Sequence, residues 1–241
     1  MNLIRKGHGH AHRGVIGVES AIVMIAFVIV AAALAFVVLN MGFSTTQKAK
    51  TTIISGLSGA SSSLEVAGKV IGIACTDSNG GCGTTPYLNA TGIPIKIASG
   101  GDSVDLDPAR TQVKYLSNSV EYDNIYLGTL NTTTPTSLES AWDDFRTAGY
   151  QTGTGVVNPV DESLSRTVAF TYWSVSRGTQ NSILDDGEHA NLAIGFDGVG
   201  ATDDRPTSLD KIRVELIVAT GASLTVERNV PTLTNLVTDL G

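Results

Sequence analysis

The feature that most constrains this chain lies near its start. Residues Ala21–Leu39 carry no charge, and Glu19 is the one charged residue between Val15 and Leu39. That run is close to the roughly 20 apolar residues a helix needs to span a bilayer. The segment before it, residues 1–14, is rich in Gly and His and holds three cations (Arg5, Lys6, Arg13) and no acid. Cationic flanks stay cytoplasmic, so everything after the run is expected to be exported. An ordinary secretory signal is cut after its apolar run, at small residues. Here the run continues into Asn40-Met41-Gly42-Phe43, with no Ala-x-Ala site. The apolar run is therefore expected to be retained, with the cut before it, between Gly14 and Val15. Residues 1–14 would then be a removed signal peptide. His8, His10 and His12 alternate in a metal-binding pattern, but they fall in that leader, and no metal role is assigned to them.

A simple membrane anchor needs bulk hydrophobicity and nothing else. Here Ala31, Ala32, Ala33 and Ala35 interleave with Ile, Val and Phe, and small residues let helices approach closely. Ala32 and Ala35 are the candidate assembly positions. After the polar Thr46-Gln47-Lys48-Ala49-Lys50, apolar Ile53, Ile54, Leu57, Leu64, Val66, Val70 and Ile71 return at roughly helical spacing. Gly56, Gly59 and Gly68 weaken a helix by up to ~1 kcal/mol each and are expected to bend it or allow close packing rather than end it. A helix from Val15 to about Ile73 would be roughly 90 Å long at ~1.5 Å per residue. The expectation is a polymerisation helix over residues 15–74. Glu19 lies one helical turn beyond the amine that cleavage would create on Val15. A buried unpaired ammonium is costly, so Glu19 is expected to pair with that amine or a neighbour's. The alternative is that Glu19 faces the membrane boundary before assembly.

After Cys82 the texture changes to short alternating runs broken by Gly, Pro, Asn and Asp. Ile93, Ile95 and Ile97 alternate, as do Val113 and Tyr115; Val120, Tyr122 and Ile125-Tyr126-Leu127 follow. Val168, Phe170, Tyr172 and Ser174 alternate against Thr167, Ala169, Thr171 and Trp173, and Leu192, Ile194 and Phe196 continue the series. Ile212, Val214, Leu216 and Val218 face one way and Lys211, Arg213 and Glu215 the other; a turn at Thr220-Gly221 leads to Leu224–Glu227, which reads as a hairpin with one face buried. One helix is expected over Leu138–Phe145 with Ser137 as N-cap. Thr132–Ser137 and Gln151–Val160 read as exposed loops. The predicted class is α+β: a long N-terminal α-helix followed by a mainly β, immunoglobulin-like sandwich over residues 75–241.

Chemistry is sparse. The formal charge is −7, and removing residues 1–14 with their three cations takes it to −10. No basic stripe points to nucleic acid. A surface this acidic repels its own copies, so any self-assembly must be driven by apolar contact. There is no Gly-x-Ser-x-Gly, His-Glu-x-x-His or phosphate loop, so no enzyme and no cofactor is predicted. His189, the one histidine after the leader, reads as a surface residue. Acids cluster at Asp102/Asp105/Asp107, Asp185/Asp186/Glu188 and Asp203/Asp204. Each cluster supplies oxygen ligands for Ca²⁺, but none has EF-hand spacing, and solvated turns are the preferred reading. Cys75 and Cys82 flank a short polar loop; in an exported protein the pair reads as a disulfide worth ~2 kcal/mol, with free thiols as the alternative. Asn89-Ala90-Thr91 and Asn131-Thr132-Thr133 are N-glycosylation sequons, and Asn89 and Asn131 are the candidate acceptors.

A basic leader ending in Gly, a retained apolar helix and an acid at the fifth mature position (Glu19, counted from Val15) resemble type IV pilin-like precursors. The stretch from Arg13-Gly14-Val15-Ile16-Gly17-Val18-Glu19 through Ala31-Ala32 resembles the N-terminus of archaellins, the archaeal flagellins. So do Leu39-Asn40-Met41-Gly42 and Thr46-Gln47-Lys48-Ala49-Lys50-Thr51-Thr52-Ile53. Near the C-terminus, Gly221-Ala222-Ser223-Leu224-Thr225-Val226-Glu227-Arg228-Asn229-Val230-Pro231 is similar to that family's closing strand. The resemblance implies cleavage by an archaeal prepilin peptidase and insertion in the membrane before assembly. It implies extrusion by a membrane platform with a cytoplasmic ATPase. The product would be an extracellular helical filament, the archaellum, built of this chain alone or with paralogous archaellins and rotated for swimming. An archaeal adhesive type IV pilin is the alternative; it shares leader and helix, but the closing strand favours the archaellin. A membrane-anchored extracellular binding protein or enzyme is a third reading, for which the sequence offers no site.

Overall fold

The computed structural model describes residues 13–61, 64–75, 86–149, 158–159, 164–178, 181–198 and 204–241, and within the first segment the side chains of 17–57. The chain divides between Ser55 and Gly56 into two compact units.

The first unit is built on one helix, α1 (Arg13–Ser61). Straight-chain residues and Ala favour helix here, and the many Val and Ile cost little against them. Threonine hydroxyls are absorbed into the helix itself: Thr45, Thr46, Thr51 and Thr52 donate to the carbonyls of Met41, Gly42, Gln47 and Lys48 at 2.8, 2.8, 3.0 and 2.9 Å. The helix ends at Ser61, well short of the expected residue 74. Leu64–Val66 (β1) and Ile71–Cys75 (β2) are strands. Gly56 and Gly59 sap the helix and three serines follow, while Ile71–Cys75 finds an antiparallel ladder on Tyr87–Ile97 (β3), with Ile71 opposite Gly92 and Cys75 opposite Tyr87. Sheet pairing outweighs the loose helical spacing of Leu64, Val66 and Val70. A soluble domain cut at residue 75 would therefore lose two strands of its main sheet.

That sheet has seven strands. Val237–Asp239 (β13), β2, β3, His189–Gly195 (β10), Val168–Val175 (β8) and Tyr126–Leu130 (β7) lie side by side in that order, and β1 shares the edge of β3 with β2. A second sheet runs Leu224–Asn229 (β12), Lys211–Ile217 (β11), Gln112–Leu116 (β5), Glu121–Tyr122 (β6). Val104–Asp105 (β4) and Ile183–Leu184 (β9) form a small ladder of their own. The expected hairpin is β11–β12: Ile212, Val214 and Leu216 are buried, and Lys211 and Arg213 on the opposite face are exposed. Gly221 takes a φ of +100° in its turn, a conformation open to glycine.

One apolar core lies between the two sheets. It joins Ile93, Ile95, Trp173, Leu192 and Ile194 of the large sheet to Val113, Tyr115, Ile212, Val214 and Leu216 of the small one. The large sheet is buried on its other face as well. There α2 (Leu138–Thr147) lays Leu138, Ala141, Trp142 and Phe145 against Ala90, Phe170, Tyr172 and Ala193. Phe145 stacks on Phe170 at 4.1 Å, and Trp142 meets the same ring edge-on at 4.8 Å. The helix starts where expected: the Ser140 amide donates to Ser137 Oγ at 3.0 Å and the Ser137 amide to Ser140 Oγ at 3.1 Å, a capping box built with serine.

One pairing differs from a plain antiparallel sandwich. β7 and β8 are parallel, with Thr129 opposite Thr171 and Leu130 opposite Tyr172. Parallel neighbours require a crossover, and the segment carrying α2 supplies it. The pair is riveted by a buried cluster in which Tyr126 Oη donates to the Leu106 carbonyl at 2.7 Å and lies 3.0 and 2.9 Å from the hydroxyls of Thr129 and Thr171. Burial, opposed in part by those two hydroxyls, pushes the Tyr126 phenol up to about 12.

Gly195 shows how tightly α2 sits. A Cβ there would fall 2.3 Å from Leu164 Cδ1 and 2.7 Å from the Trp142 ring. Overpacking of this kind costs about 1–3 kcal/mol. Gly195→Ala should lower the thermal midpoint of the β domain by roughly 2–4 °C per kcal/mol, measured by circular dichroism on a 64–241 fragment; an unchanged midpoint would show that the Trp142 ring has room to move.

Candidate polymerisation surface

Every described side chain from Gly17 to Leu57 on α1 is exposed. Phe27, Phe36 and Leu39 expose 73%, 69% and 75% of their surface. An ordinary surface helix has one apolar stripe; α1 is apolar all round, with no hydrophobic side favoured over another. A helix of that kind must be surrounded on all sides by lipid or by other apolar helices, and this one is long and apolar enough to cross a bilayer. Ala32 and Ala35 are both exposed on it, three residues apart and so on adjoining parts of one face. Gly17, Gly42 and Gly56 fit the same picture: a Cβ at any of them would meet nothing within 4 Å. Nothing in the single chain requires glycine there, whereas close approach of a second helix does.

Polar groups on α1 are few. In the described stretch Gly17–Leu57 the charged side chains are Glu19, Lys48 and Lys50, all exposed. The threonine hydroxyls are already satisfied by the helix, so the turns around Lys48 present methyl groups outward with little unmet hydrogen bonding. Sequence reading missed this arrangement; the signal available was threonines in adjacent pairs inside a continuous helical pattern.

The other predicted residues lie elsewhere. Gly14 and Val15 are within the α1 backbone, and the leader up to His12, with its three histidines, lies outside the described residues, as does Cys82. Cys75 closes β2 and is not a free thiol. A bond from it to Cys82 would staple the β2–β3 connection rather than the end of the helix. Asn89 is half-buried within β3, and Thr91 of its sequon is fully buried, donating to the Ile71 carbonyl at 2.9 Å. Asn131 is exposed at the end of β7. His189 opens β10, half-buried, and its carbonyl accepts a bond from Ser174 Oγ.

Each acidic cluster has a member hydrogen-bonded within its own fold. Glu188 is buried and accepts from the amides of Arg177 at 2.6 Å and Asp185 at 3.1 Å. Asp105 accepts from the Asp107 amide at 2.9 Å and from Arg110 at 3.3 Å. Asp204 is buried, and the Tyr122 hydroxyl donates to it at 2.5 Å, which holds that phenol up at about 12; Asp203 lies outside the described residues. Among the described residues no three of His, Cys, Asp and Glu are grouped as metal ligands would be.

Comparison with known proteins gives this surface a context. The profile of the archaeal-type flagellin family matches residues 14–228. The probable flagellin 1 of Aeropyrum pernix is 35% identical over 222 residues, covering 91% of this chain and 92% of that protein. The crystal structure of archaeal flagellin FlaB1 from Methanocaldococcus jannaschii shares the fold at 16% identity, with a TM-score of 0.52 over 74% of this chain and 96% of that one. A chain of the archaeal flagellum of Methanospirillum hungatei is 22% identical, with a TM-score of 0.49 over 91% of this chain and 96% of that one. A match along most of its length, and a relative similar from end to end, place this chain in the archaeal-type flagellin family, whose members are structural filament subunits and not enzymes.

Proposed function

We infer that this chain is the structural subunit of the archaellum filament and polymerises through α1 for swimming motility. The observation that carries the reading is a helix exposed and apolar on every side, attached to a domain whose own core is closed. Copies of α1 supply one another with the apolar surroundings that water denies them, and the small residues on α1 let them come close. Family membership favours the swimming filament over an adhesive pilus, and no described feature supports a membrane-anchored receptor or enzyme.

The finer steps belong to the same proposal. The leader, residues 1–14, is cut between Gly14 and Val15 by a prepilin-type peptidase; the family profile begins at residue 14, where the leader ends. Before the cut α1 lies in the membrane with the three leader cations inside, and a membrane platform then feeds it into the growing filament. Cys75 and Cys82, the two cysteines of the chain, form a disulfide outside the cell, in keeping with Cys75 not being free. Asn131 is the acceptor for N-linked glycan. The Asn89 sequon is the poorer acceptor, since its threonine hydroxyl is buried and already bonded.

Replacement of Ala32 tests assembly directly. Ala32→Asp should abolish filaments in sheared cell-surface preparations viewed by negative stain. Ala32→Leu keeps the helix apolar, so it should still insert in the membrane, yet it should reduce filament yield by holding neighbours apart. Full yield from both variants would remove α1 packing as the driving contact. Intact-mass and peptide analysis of purified filaments should find Val15 as the first residue, and filaments retaining residues 1–14 would contradict the cut. The same peptides, alkylated without reduction, should show no labelled Cys75 or Cys82; efficient labelling of both would rule out the bond.

A further inference from the structure

We propose that in the filament Glu19 of one subunit forms an ion pair with Lys48 of another copy of this chain. The proposal rests on the reading of α1 as a polymerisation helix. Once residues 1–14 are gone, the stretch Val15–Ser61 holds the new ammonium of Val15 and three charged side chains, Glu19, Lys48 and Lys50; a carboxylate has two oxygens, so Glu19 can accept from that ammonium and from a lysine together. Neither Glu19 nor Lys48 has an ion-pair partner among the described residues of its own chain. In water both are solvated. In a packed apolar core each would be an isolated buried charge, which proteins avoid by pairing.

Helix geometry selects the partner. Glu19 and Lys48 are 29 residues apart in α1; at about 100° per residue that is eight full turns plus about 20°, so they share one face. Lys50 comes out about 220° from Glu19 by the same count, toward the other side of the helix. Between Glu19 and Lys48 there is no other charge. The two are separated by about 44 Å along the axis at about 1.5 Å per residue, so they cannot meet within one helix. A second helix, parallel, displaced by that length and turned about the filament axis so that both helices point this face inward, brings the acid of one level with the cation of the other; a copy related by translation alone would turn its Lys48 away. The turns around Lys48 are prepared for burial: Thr45, Thr46, Thr51 and Thr52 have turned their hydroxyls onto backbone carbonyls. The pair fixes the axial stagger of subunits, which non-directional apolar contact leaves loosely defined.

Charge reversal of the full-length subunit, in cells lacking the native copy, tests this. Glu19→Lys and Lys48→Glu should each lower the mass of sheared filaments about tenfold or more, and the double reversal should recover part of that yield, short of the whole because the Val15 ammonium is then left beside a cation. Lys50→Glu should have a clearly smaller effect and should not rescue Glu19→Lys. Residue 19 lies near the cut, so processing of each variant is read from the mass of the membrane-bound subunit. If Glu19→Lys is left uncut, Lys48→Glu against Lys50→Glu decides: a loss specific to Lys48 supports the pair, and equal losses or none overturn it. A double reversal that is cut normally yet makes no filaments also overturns it. Failure of the underlying reading is distinct, because the wild-type subunit itself would then leave no filaments to shear.

Discussion

Everything about this molecule follows from a helix that has no inside. Most helices solve the hydrophobic problem by turning one stripe to a core; α1 has apolar groups on all sides and leaves them exposed in the single chain. Two environments satisfy such a helix, a bilayer and a bundle of its own kind. The exported domain keeps its own apolar residues closed between and beside its sheets, so it does not compete for α1's surroundings. An acidic surface keeps those domains apart and soluble. Attraction is thereby confined to one element and repulsion to the other, a division of labour suited to a thin polymer with a dry centre and a wet exterior.

Legibility in the sequence depended on how many faces each element buries. β11 was plain because one face meets solvent and the other the core, so Ile212, Val214 and Leu216 alternate with Lys211 and Arg213. β8 alternates too, but Val168–Trp173 is buried on both faces. Its pattern marked a strand and concealed the second core, under α2. The parallel pairing of β7 with β8 was hidden for a related reason: residue spacing reports which side a residue faces, not the direction of the neighbouring strand. The end of α1 was misjudged because Leu64, Val66, Val70 and Ile71 fit a helical spacing loosely, while the partners of Leu64, Val66 and Ile71 on β3 lie about twenty to thirty residues further along and those of Val70 are at the C-terminus. The cap at Ser137, by contrast, is a local interaction and was readable from local sequence.

The same distinction separates the readable part of the polymerisation surface from the rest. A long uncharged run announces itself, and Glu19 stands out as the charge within it. The threonine pairs late in α1 look polar on paper and suggest a solvated end to the apolar segment. The structure shows hydroxyls bonded to carbonyls four residues back, so that this stretch is far less polar than its composition. The surface suited to burial therefore extends beyond Leu39 toward Thr52, and Asn40, Ser44, Gln47, Lys48 and Lys50 are the polar residues on it besides those threonines.

On this reading the leader settles the order of events by its charge. In the proposed route Arg5, Lys6 and Arg13 would hold the chain's start on the inner side of the membrane, where cations are favoured. Those same charges prevent the next step. Carried into a bundle of apolar helices they would need three buried anions, and α1 offers one acid, Glu19. In the proposed route a subunit with its leader would stay in lipid and be excluded from the filament; a subunit without it would lose three cations and its inner anchor, leaving Glu19 to be met by a cation of another copy. In that route a single peptide cleavage between Gly14 and Val15 would move the preferred surroundings of α1 from lipid to its own kind without changing any side chain of the helix after Val15.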